Sequence, residues 1–459
     1  MVSTTKKEAA SPVAVTDGIE MEENFTEKLS NKKRKRVDHE KPDKISDLPD
    51  ALLLLILSLI PTVDVVRTCV LSKRWISLWE HVPKLDYRYK NDKKLSDQFV
   101  HRFLISRNSS CLLESMRLIV ESDSDVMNIP VWIKYAVENG LRELELNFYS
   151  EKENIILPRN IYACKTLEVL TLKYCVRVDV PNSPVCFKSL KILNLQLVHF
   201  KDDDSVRRFF SSCPNLEKLD VIRFVDNVVN FTIEVPSLKS LTIHDYSYGD
   251  GRRGYVINAP SLSYFSVKGM TSYEFSIENM PELREAKIID VFDINTEKIL
   301  RPIASSVKRL SLSLSPLETR YADGIVFSQL VYLELSTSKT EWWNLLMVLL
   351  SNSPKLQVLK LNRVESGKGT KERMSNPQFY EPINVPPCLL SCLQRFEWEK
   401  YNGQHEEERQ IAMYILTNAK HLKEARFSAK NSDLKEKFEM LKVLAREPRA
   451  SPSCQFFFE

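Results

Sequence analysis

Hydrophobic residues recur at a regular spacing through most of the chain. Ten six-residue units carry an apolar side chain, most often leucine, at positions one, four and six. The units start 21 to 26 residues apart. Apolar and polar residues alternate from position four to position six, which predicts a short β-strand with one buried face. The units are LRELEL at 141, LEVLTL at 167, LKILNL at 190, LEKLDV at 216, LKSLTI at 238, LSYFSV at 262, LREAKI at 283, VKRLSL at 307, LVYLEL at 330 and LQVLKL at 356.

A unit of this length cannot bury its apolar face alone, so successive units must stack on one another. The period matches the leucine-rich repeat, in which each unit supplies one strand of a parallel sheet and a returning segment. Weaker copies begin at 113, 393 and 422. The pattern therefore predicts an α/β fold that contains a curved solenoid of parallel strands. Prolines suit the approach to a strand, and five stand two residues before a repeat leucine: Pro214, Pro236, Pro260, Pro281 and Pro354.

Position five of every unit is polar. Since positions four and six face the core, position five points to the opposite face of the sheet, which is the concave face of such a solenoid. Solenoids commonly bind protein partners there, but any solvated strand face would show the same polarity, and both interpretations stay open. The mixed charges argue against a polyanionic ligand. The predicted target-facing residues are Glu145, Thr171, Asn194, Asp220, Thr242, Ser266, Lys287, Ser311, Glu334 and Lys360.

Residues 43–82 follow a different pattern, which predicts three short helices. Pro49 suits the first turn of the first helix, and Pro61 ends that helix. Thr62 and Ser72 are predicted to cap the second and the third helix. A unit of about forty residues rarely buries enough surface to be stable alone.

The first of these helices contains the most apolar stretch of the chain, ALLLLILSLI at 51–60. A membrane-spanning helix needs about 20 apolar residues, twice this length. The stretch also follows some fifty mostly polar residues, unlike the apolar core of a secretory signal. We therefore expect a nuclear or cytoplasmic protein. Because a helix that is apolar on every side has no face for water, we expect another protein to cover part of it.

The net charge of +4 originates in one short segment. Residues 27–44 hold eight basic and four acidic side chains, so the rest of the chain sums to zero. The cluster KKRKRV is typical of signals read by nuclear import receptors, and a solvated linker is the alternative. With no zinc finger, basic stripe or zipper heptads in the sequence, specific nucleic-acid binding is not expected. The predicted import residues are Lys32, Lys33, Arg34, Lys35 and Arg36.

The sequence offers no pattern for catalysis or for metal binding. Its nine cysteines form no CxxC pair and fit neither a disulfide framework nor a zinc module. The seven histidines are scattered, and the HExxH, GxSxG, GxGxxG and P-loop patterns are absent. We therefore expect a protein that is not an enzyme and needs no metal or cofactor.

Two segments resemble known domains. LPDALLLLILSLIPTVDVVRTCVLSKRWISLW at 48–79 closely resembles the F-box of plant F-box proteins, with its Leu-Pro start, its PTxDVV hinge and its VLSKRW…LW end. Residues 385–427 resemble the FBD domain that follows leucine-rich repeats in many of these proteins, through VPxCLLSxL, Tyr401, Gly403, the acidic run at 406–408 and YILxNAxxLKxA. The predicted organisation is a disordered basic tail at 1–42, an F-box at 43–82, leucine-rich repeats at 83–364 with a weak first copy near 113, a polar loop at 365–384 and an FBD-like domain at 385–459.

The resemblance implies a substrate receptor of a ubiquitin ligase. In this family the F-box docks onto a Skp-type adaptor, which joins it to cullin and RING subunits, while the repeats hold a target protein. The alternative is a leucine-rich-repeat scaffold that works without a cullin. Some of the implied adaptor-facing residues could instead serve internal F-box packing. These residues are Leu48, Pro49, Leu53, Ile56, Leu57, Ile60, Val65, Val66, Val70, Leu71, Trp75 and Trp79.

Overall fold

The computed structural model describes most of the chain from residue 44 onward. The chain divides into two units, residues 1–53 and 54–459. The basic cluster at 32–36, and most of the polar loop at 365–384, lie outside the described residues. The described ranges are 44–45, 47–88, 96–107, 111–121, 128–149, 154–182, 185–224, 227–246, 253–269, 274–278, 280–291, 296–314, 324–337, 342–363, 382–403, 405–429, 434–446 and 448–459.

Three short helices form the first part of the described chain, as predicted: α1 Asp50–Ser58, α2 Thr62–Arg67 and α3 Trp75–Leu78, with 3-10 turns at Thr68–Val70 and Trp79–His81. Both predicted caps are wrong. Pro61 occupies the cap position of α2, and Arg74 occupies that of α3. Thr62 is buried instead, and its hydroxyl accepts a hydrogen bond of 2.7 Å from the backbone N–H of Asp86 in the first strand.

The repeats build one large parallel sheet, in which each strand pairs with the strand of the next repeat. In the described part of the chain this sheet has fifteen strands. The ten repeat units and the three weaker copies each supply one of them, so the predicted solenoid is confirmed. The strands are β1 Lys84–Arg88, β2 Ser115–Val120, β3 Glu143–Phe148, β5 Val169–Tyr174, β7 Ile192–Gln196, β9 Lys218–Arg223, β11 Ser240–Asp245, β13 Tyr264–Lys268, β15 Glu285–Val291, β16 Arg309–Leu314, β17 Tyr332–Thr337, β18 Val358–Arg363, β19 Arg395–Glu399, β20 Glu424–Ser428 and β21 Gln455–Phe458.

The returning segments contain short strands between β3 and β15, and helices before, among and after those short strands. Two three-stranded parallel sheets are made by β4 Ile155–Ile156, β6 Val176–Val178 and β8 His199–Phe200, and by β10 Asn230–Glu234, β12 Gly254–Asn258 and β14 Glu274–Ile277. The other returning elements are α4 Ser96–Ser106, α5 Ile129–Glu138, a 3-10 helix Arg159–Ala163, α6 Asp203–Ser211, α7 Thr296–Ile303, α8 Trp342–Ser351, α9 Pro387–Ser391, α10 Glu406–Asn418 and α11 Leu434–Arg446.

The core lies between the large sheet and these returning segments. Position four of the repeats is an apolar row, represented by Leu170, Leu241 and Leu333, whose exposed fraction is 0%. Strand pairing keeps this row in register across neighbouring repeats. Since burying a leucine stabilises a fold by about 1.5 to 3 kcal/mol, the stacked rows hold the array together without any disulfide.

The FBD-like residues continue the same sheet. Strand β19 pairs with β18, and β20 pairs with β19. Tyr401 is buried, with its ring centre 5.2 Å from that of Trp398 and 5.1 Å from that of Phe427. In the acidic run, Glu408 is buried and accepts a 2.8 Å hydrogen bond from the backbone N–H of Asn402. The residues that resemble the FBD domain therefore hold the last repeats of the array together.

A glycine after strand β13 provides a test of the repeat geometry. Gly269 has a φ of +77°, and an added Cβ would lie 2.9 Å from the carbonyl oxygen of Asp245. Gly324 has a similar φ of +88°, but an added Cβ there would meet no atom of the described residues within 4 Å. The left-handed conformation alone costs a residue with a Cβ about 1 to 2 kcal/mol. We expect Gly269→Ala to lower the free energy of unfolding by clearly more than Gly324→Ala does, as measured by urea denaturation. Equal losses would contradict this packing.

Candidate protein-interaction surfaces

Helix α1 has one buried side and one exposed side. Leu53 and Leu57 are 0% and 1% exposed. On the other side Leu55 and Leu59, one helical turn apart, are 62% and 81% exposed, and Ile56 is 46% exposed. Side chains three and four positions apart share a helix face. The apolar stretch at 51–60 therefore has two distinct faces, one buried and one exposed.

More apolar side chains are exposed in the segment that follows α1. Val70 and Leu71 lie at the turn before α3, where they are 68% and 63% exposed, and Ile76 in α3 is 54% exposed. Contiguous exposed apolar surface is uncommon on a protein that works alone. We define the F-box apolar surface as six residues of the unit 54–459: Leu55, Ile56, Leu59, Val70, Leu71 and Ile76.

The predicted adaptor-facing residues fall into three groups by exposure. Pro49, Ile56, Val70 and Leu71 are exposed. Leu48, Ile60, Val66 and Trp79 are half-buried. Leu53, Leu57, Val65 and Trp75 are buried, so their side chains serve packing within the chain.

Sequence reasoning missed five exposed apolar residues of the predicted F-box, one of which is Ile45, 55% exposed in the unit 1–53. The other four lie in or near the first and third helices. They are Leu55, Leu59 and Ile76, and Leu52 in the unit 1–53, which is 45% exposed. The helical period in ALLLLILSLI places Leu52, Leu55, Ile56 and Leu59 on one face, but only the burial of Leu53 and Leu57 shows which face meets water.

The ten residues at position five lie in a single row across ten strands. The pairing runs without a break from Glu145 opposite Thr171 to Glu334 opposite Lys360. Nine of them are half-buried. The tenth, Ser266, is 5% exposed. We call the side of the large sheet that carries this row the position-five face.

Charges at the N-terminal end of this face are paired with one another. The Asp86 carboxylate lies 3.3 Å from Lys84 and 3.8 Å from Arg117. The Glu145 carboxylate lies 3.1 Å from Arg117 and 2.9 Å from Lys173. These contacts form a ladder of alternating charge that crosses strands β1, β2, β3 and β5.

The C-terminal end of the face carries a second ladder. Lys360 lies 3.4 Å from Glu334 and 2.8 Å from Glu399. On the next strands, Glu424 lies 3.1 Å from Arg395 and 2.9 Å from Arg426. A charge that already has an opposite partner gains little from a ligand, because binding must first break or share that pair.

The middle of the face, from β7 to β13, is different. Its residues at position five are mostly uncharged, and Asn194 donates a 3.0 Å hydrogen bond to the Thr171 hydroxyl. Its charged member, Asp220, pairs with Lys218 of the same strand at 3.0 Å. Fewer charges and more apolar surface are typical of the centre of a protein interface.

Within the described ranges, no group of three or more His, Cys, Asp or Glu side chains is placed to hold a metal ion. Burial raises the pKa of the Cys213 thiol and of the Cys388 thiol to about 12, which disfavours the reactive thiolate. Among the helices that the structure describes, none is long and apolar enough to cross a membrane.

A large parallel sheet built from repeats of 21 to 26 residues, preceded by short helices, defines an α/β protein of the leucine-rich-repeat class. Family models identify its parts. The F-box domain matches residues 45–87, the leucine-rich repeats of the FBD-associated F-box protein At5g56370 match residues 129–299, and the FBD domain matches residues 381–427.

Relatives that align with most of the chain carry the same three domain names. The chain is 44% identical to the F-box/FBD/LRR-repeat protein At3g52680 of Arabidopsis thaliana over 91% of this chain and 93% of the relative. It is 45% identical to the putative F-box/FBD/LRR-repeat protein At3g49030 of Arabidopsis thaliana over 92% of this chain and 96% of the relative. The chain belongs to the F-box/FBD/LRR-repeat family, and the resemblance seen in the sequence is confirmed.

Proposed function

We propose that this protein is the substrate receptor of a Skp-cullin-F-box type ubiquitin ligase. The F-box apolar surface docks onto the Skp-type adaptor, and the position-five face of the repeats binds the target. The protein itself catalyses no step. It acts by raising the effective concentration of the target beside the ubiquitin-carrying enzyme.

The observation that carries the proposal is the exposure of large apolar side chains in the F-box. Leu59 is 81% exposed and Val70 is 68% exposed. At about 25 cal/mol for each Å² of apolar surface removed from water, covering six such side chains supplies several kcal/mol of binding free energy. Family membership supports the same partner.

Replacing two of these leucines by aspartate tests the docking surface. We expect the double substitution Leu55→Asp with Leu59→Asp to weaken binding of a purified Skp-type adaptor about a hundredfold or more, because it places two charges in an apolar interface. Binding is measured by isothermal titration calorimetry with the full chain.

The matched control is Ile105→Asp in helix α4. Ile105 is 65% exposed, and it belongs to a helix outside the F-box. We expect this variant to bind the adaptor with unchanged affinity. If both variants bind equally well, or lose affinity equally, the F-box apolar surface is not the docking site.

The scaffold alternative makes a different prediction about assembly. A scaffold that works without a cullin would bind targets through the repeats and leave no cullin in the purified complex. Affinity purification with the proteasome inhibited separates the two functions when the full chain is compared with a chain that lacks residues 43–82. A ligase receptor loses cullin on this deletion and retains its other partners.

A further inference from the structure

A group of half-buried and exposed side chains lies at the middle of the position-five face. Ile222 on β9, His244 on β11 and Lys268 on β13 are paired residues of adjacent strands. Phe224 and Tyr246 follow the last residues of β9 and β11, two positions beyond Ile222 and His244. Since side chains alternate along a strand, all five belong to the same side of the sheet. We call these five residues the central patch.

The two aromatic residues of the central patch are its most exposed members. Phe224 is 55% exposed, and Tyr246 is 45% exposed. Phenylalanine and tyrosine are among the residue types enriched in the core of protein interfaces. The backbone of Tyr246 is fixed by a 3.1 Å hydrogen bond, which its N–H donates to the carbonyl of Arg223.

A buried polar network fixes the strand ends that carry these two aromatic residues. Arg223 and Asp245, which immediately precede them, are 3% and 0% exposed. The guanidinium of Arg223 donates a 3.1 Å hydrogen bond to the hydroxyl of Tyr255, and that hydroxyl donates to the carboxylate of Asp245. A surface held in one conformation loses less entropy when a partner binds.

The charge of the central patch is positive. Lys268 and His244 are its two basic side chains, and the patch contains no carboxylate. The nearest acidic residue in the position-five row, Asp220, pairs with Lys218. Burial and the neighbouring Lys268 ammonium lower the pKa of His244 below its ordinary value, while the Asp220 carboxylate opposes this shift. His244 is therefore mostly neutral near pH 7, and the positive charge of the central patch comes from Lys268.

We propose that the central patch binds a segment of the target protein in which an acidic side chain stands next to a large apolar side chain. The carboxylate pairs with Lys268, and the apolar side chain packs against Phe224, Tyr246 and Ile222. Charge complementarity selects the acidic residue, and the exposed aromatic surface selects its neighbour. The inference rests on the proposed role of the repeats in target binding.

The test uses a random-peptide display library that is selected on the full chain. We expect the selected peptides to be enriched in Asp or Glu next to a large apolar residue. Phe224→Ala should weaken their binding about thirtyfold, as expected for an interface hot spot, and Lys268→Glu should weaken it about tenfold or more and favour basic peptides on reselection. The control Lys355→Glu, which changes an exposed lysine ahead of β18, should have no effect.

Several outcomes would overturn the inference. They are a selection that returns no binders, binders without acidic residues, or binders whose affinity is unchanged in Phe224→Ala and Lys268→Glu. Adaptor affinity is measured on the same preparations. A chain that binds the adaptor but no peptides contradicts only the role of the central patch, whereas a chain that does not bind the adaptor contradicts the proposed role of the F-box. Circular dichroism melting of each variant shows that the comparison is between folded proteins.

Discussion

Removal of residues 381–459 is expected to leave a chain that aggregates. This deletion takes away strands β19, β20 and β21, and it uncovers apolar side chains of the preceding repeat such as Leu359 and Leu361, which are now 0% and 1% exposed. It also removes Trp398, whose ring centre lies 5.8 Å from that of Trp342 in helix α8. Each uncovered large side chain costs about 1.5 to 3 kcal/mol, so the sum is comparable to the total stability of an ordinary domain.

Comparing truncations of two lengths tests this prediction. A chain ending at residue 446 loses only β21, with Phe456 and its stacking on Phe427 at 5.2 Å. We expect this shorter truncation to stay soluble with a lower melting temperature, and the longer truncation to appear in the insoluble fraction. If the chain ending at residue 380 is soluble and melts like the full chain, the FBD-like residues form an independent domain and do not complete the repeat array.

The substitution Asp245→Ala is expected to destabilise the repeats by about 3 to 5 kcal/mol. It removes a buried carboxylate that lies 3.9 Å from the buried guanidinium of Arg223, and breaking a buried pair by removing one member is costly. It also removes the acceptor for the buried hydroxyl of Tyr255. The free energy of unfolding is measured by urea denaturation.

Two controls identify the cause of that loss. Asp220→Ala removes a partly exposed pair with Lys218, and exposed pairs contribute about 0 to 1 kcal/mol. The double substitution Arg223→Met with Asp245→Leu replaces both charges by apolar groups, and we expect it to recover part of the loss. If Asp245→Ala and Asp220→Ala have equal effects, the buried network contributes little to stability.

The sequence predicted the sheet well because one physical constraint repeats in every unit. An apolar residue at positions four and six must face the core, so each hexamer specifies a strand and a register. Strand β1 was missed although VPKLDY at 82–87 carries apolar residues at positions one, four and six, because this hexamer begins with valine at the end of the F-box pattern. Strand β21 was missed because its hexamer, SCQFFF at 453–458, begins with serine in place of the repeat leucine. The short strands of the returning segments were also missed, since two to five residues carry too little periodicity.

The interaction surfaces could be predicted only in part. The polar row at position five follows from alternation along a strand and appears in the structure in unbroken register. The exposed face of helix α1 could not be chosen from ALLLLILSLI, because apolar residues occupy both faces. The buried pair of Arg223 and Asp245 also could not be recognised, since charged residues at strand ends normally face water.

Assembly into a ligase is tested by measuring the stoichiometry of a reconstituted complex. The full chain is mixed with a purified Skp-type adaptor and a cullin-RING subcomplex, and the mass of the product is measured by size-exclusion chromatography with light scattering. We predict a complex that contains one copy of this chain, one adaptor and one cullin, and its loss on substitution of Leu55 and Leu59 by aspartate. A chain that binds no adaptor, or that binds the adaptor but excludes the cullin, would contradict the claim.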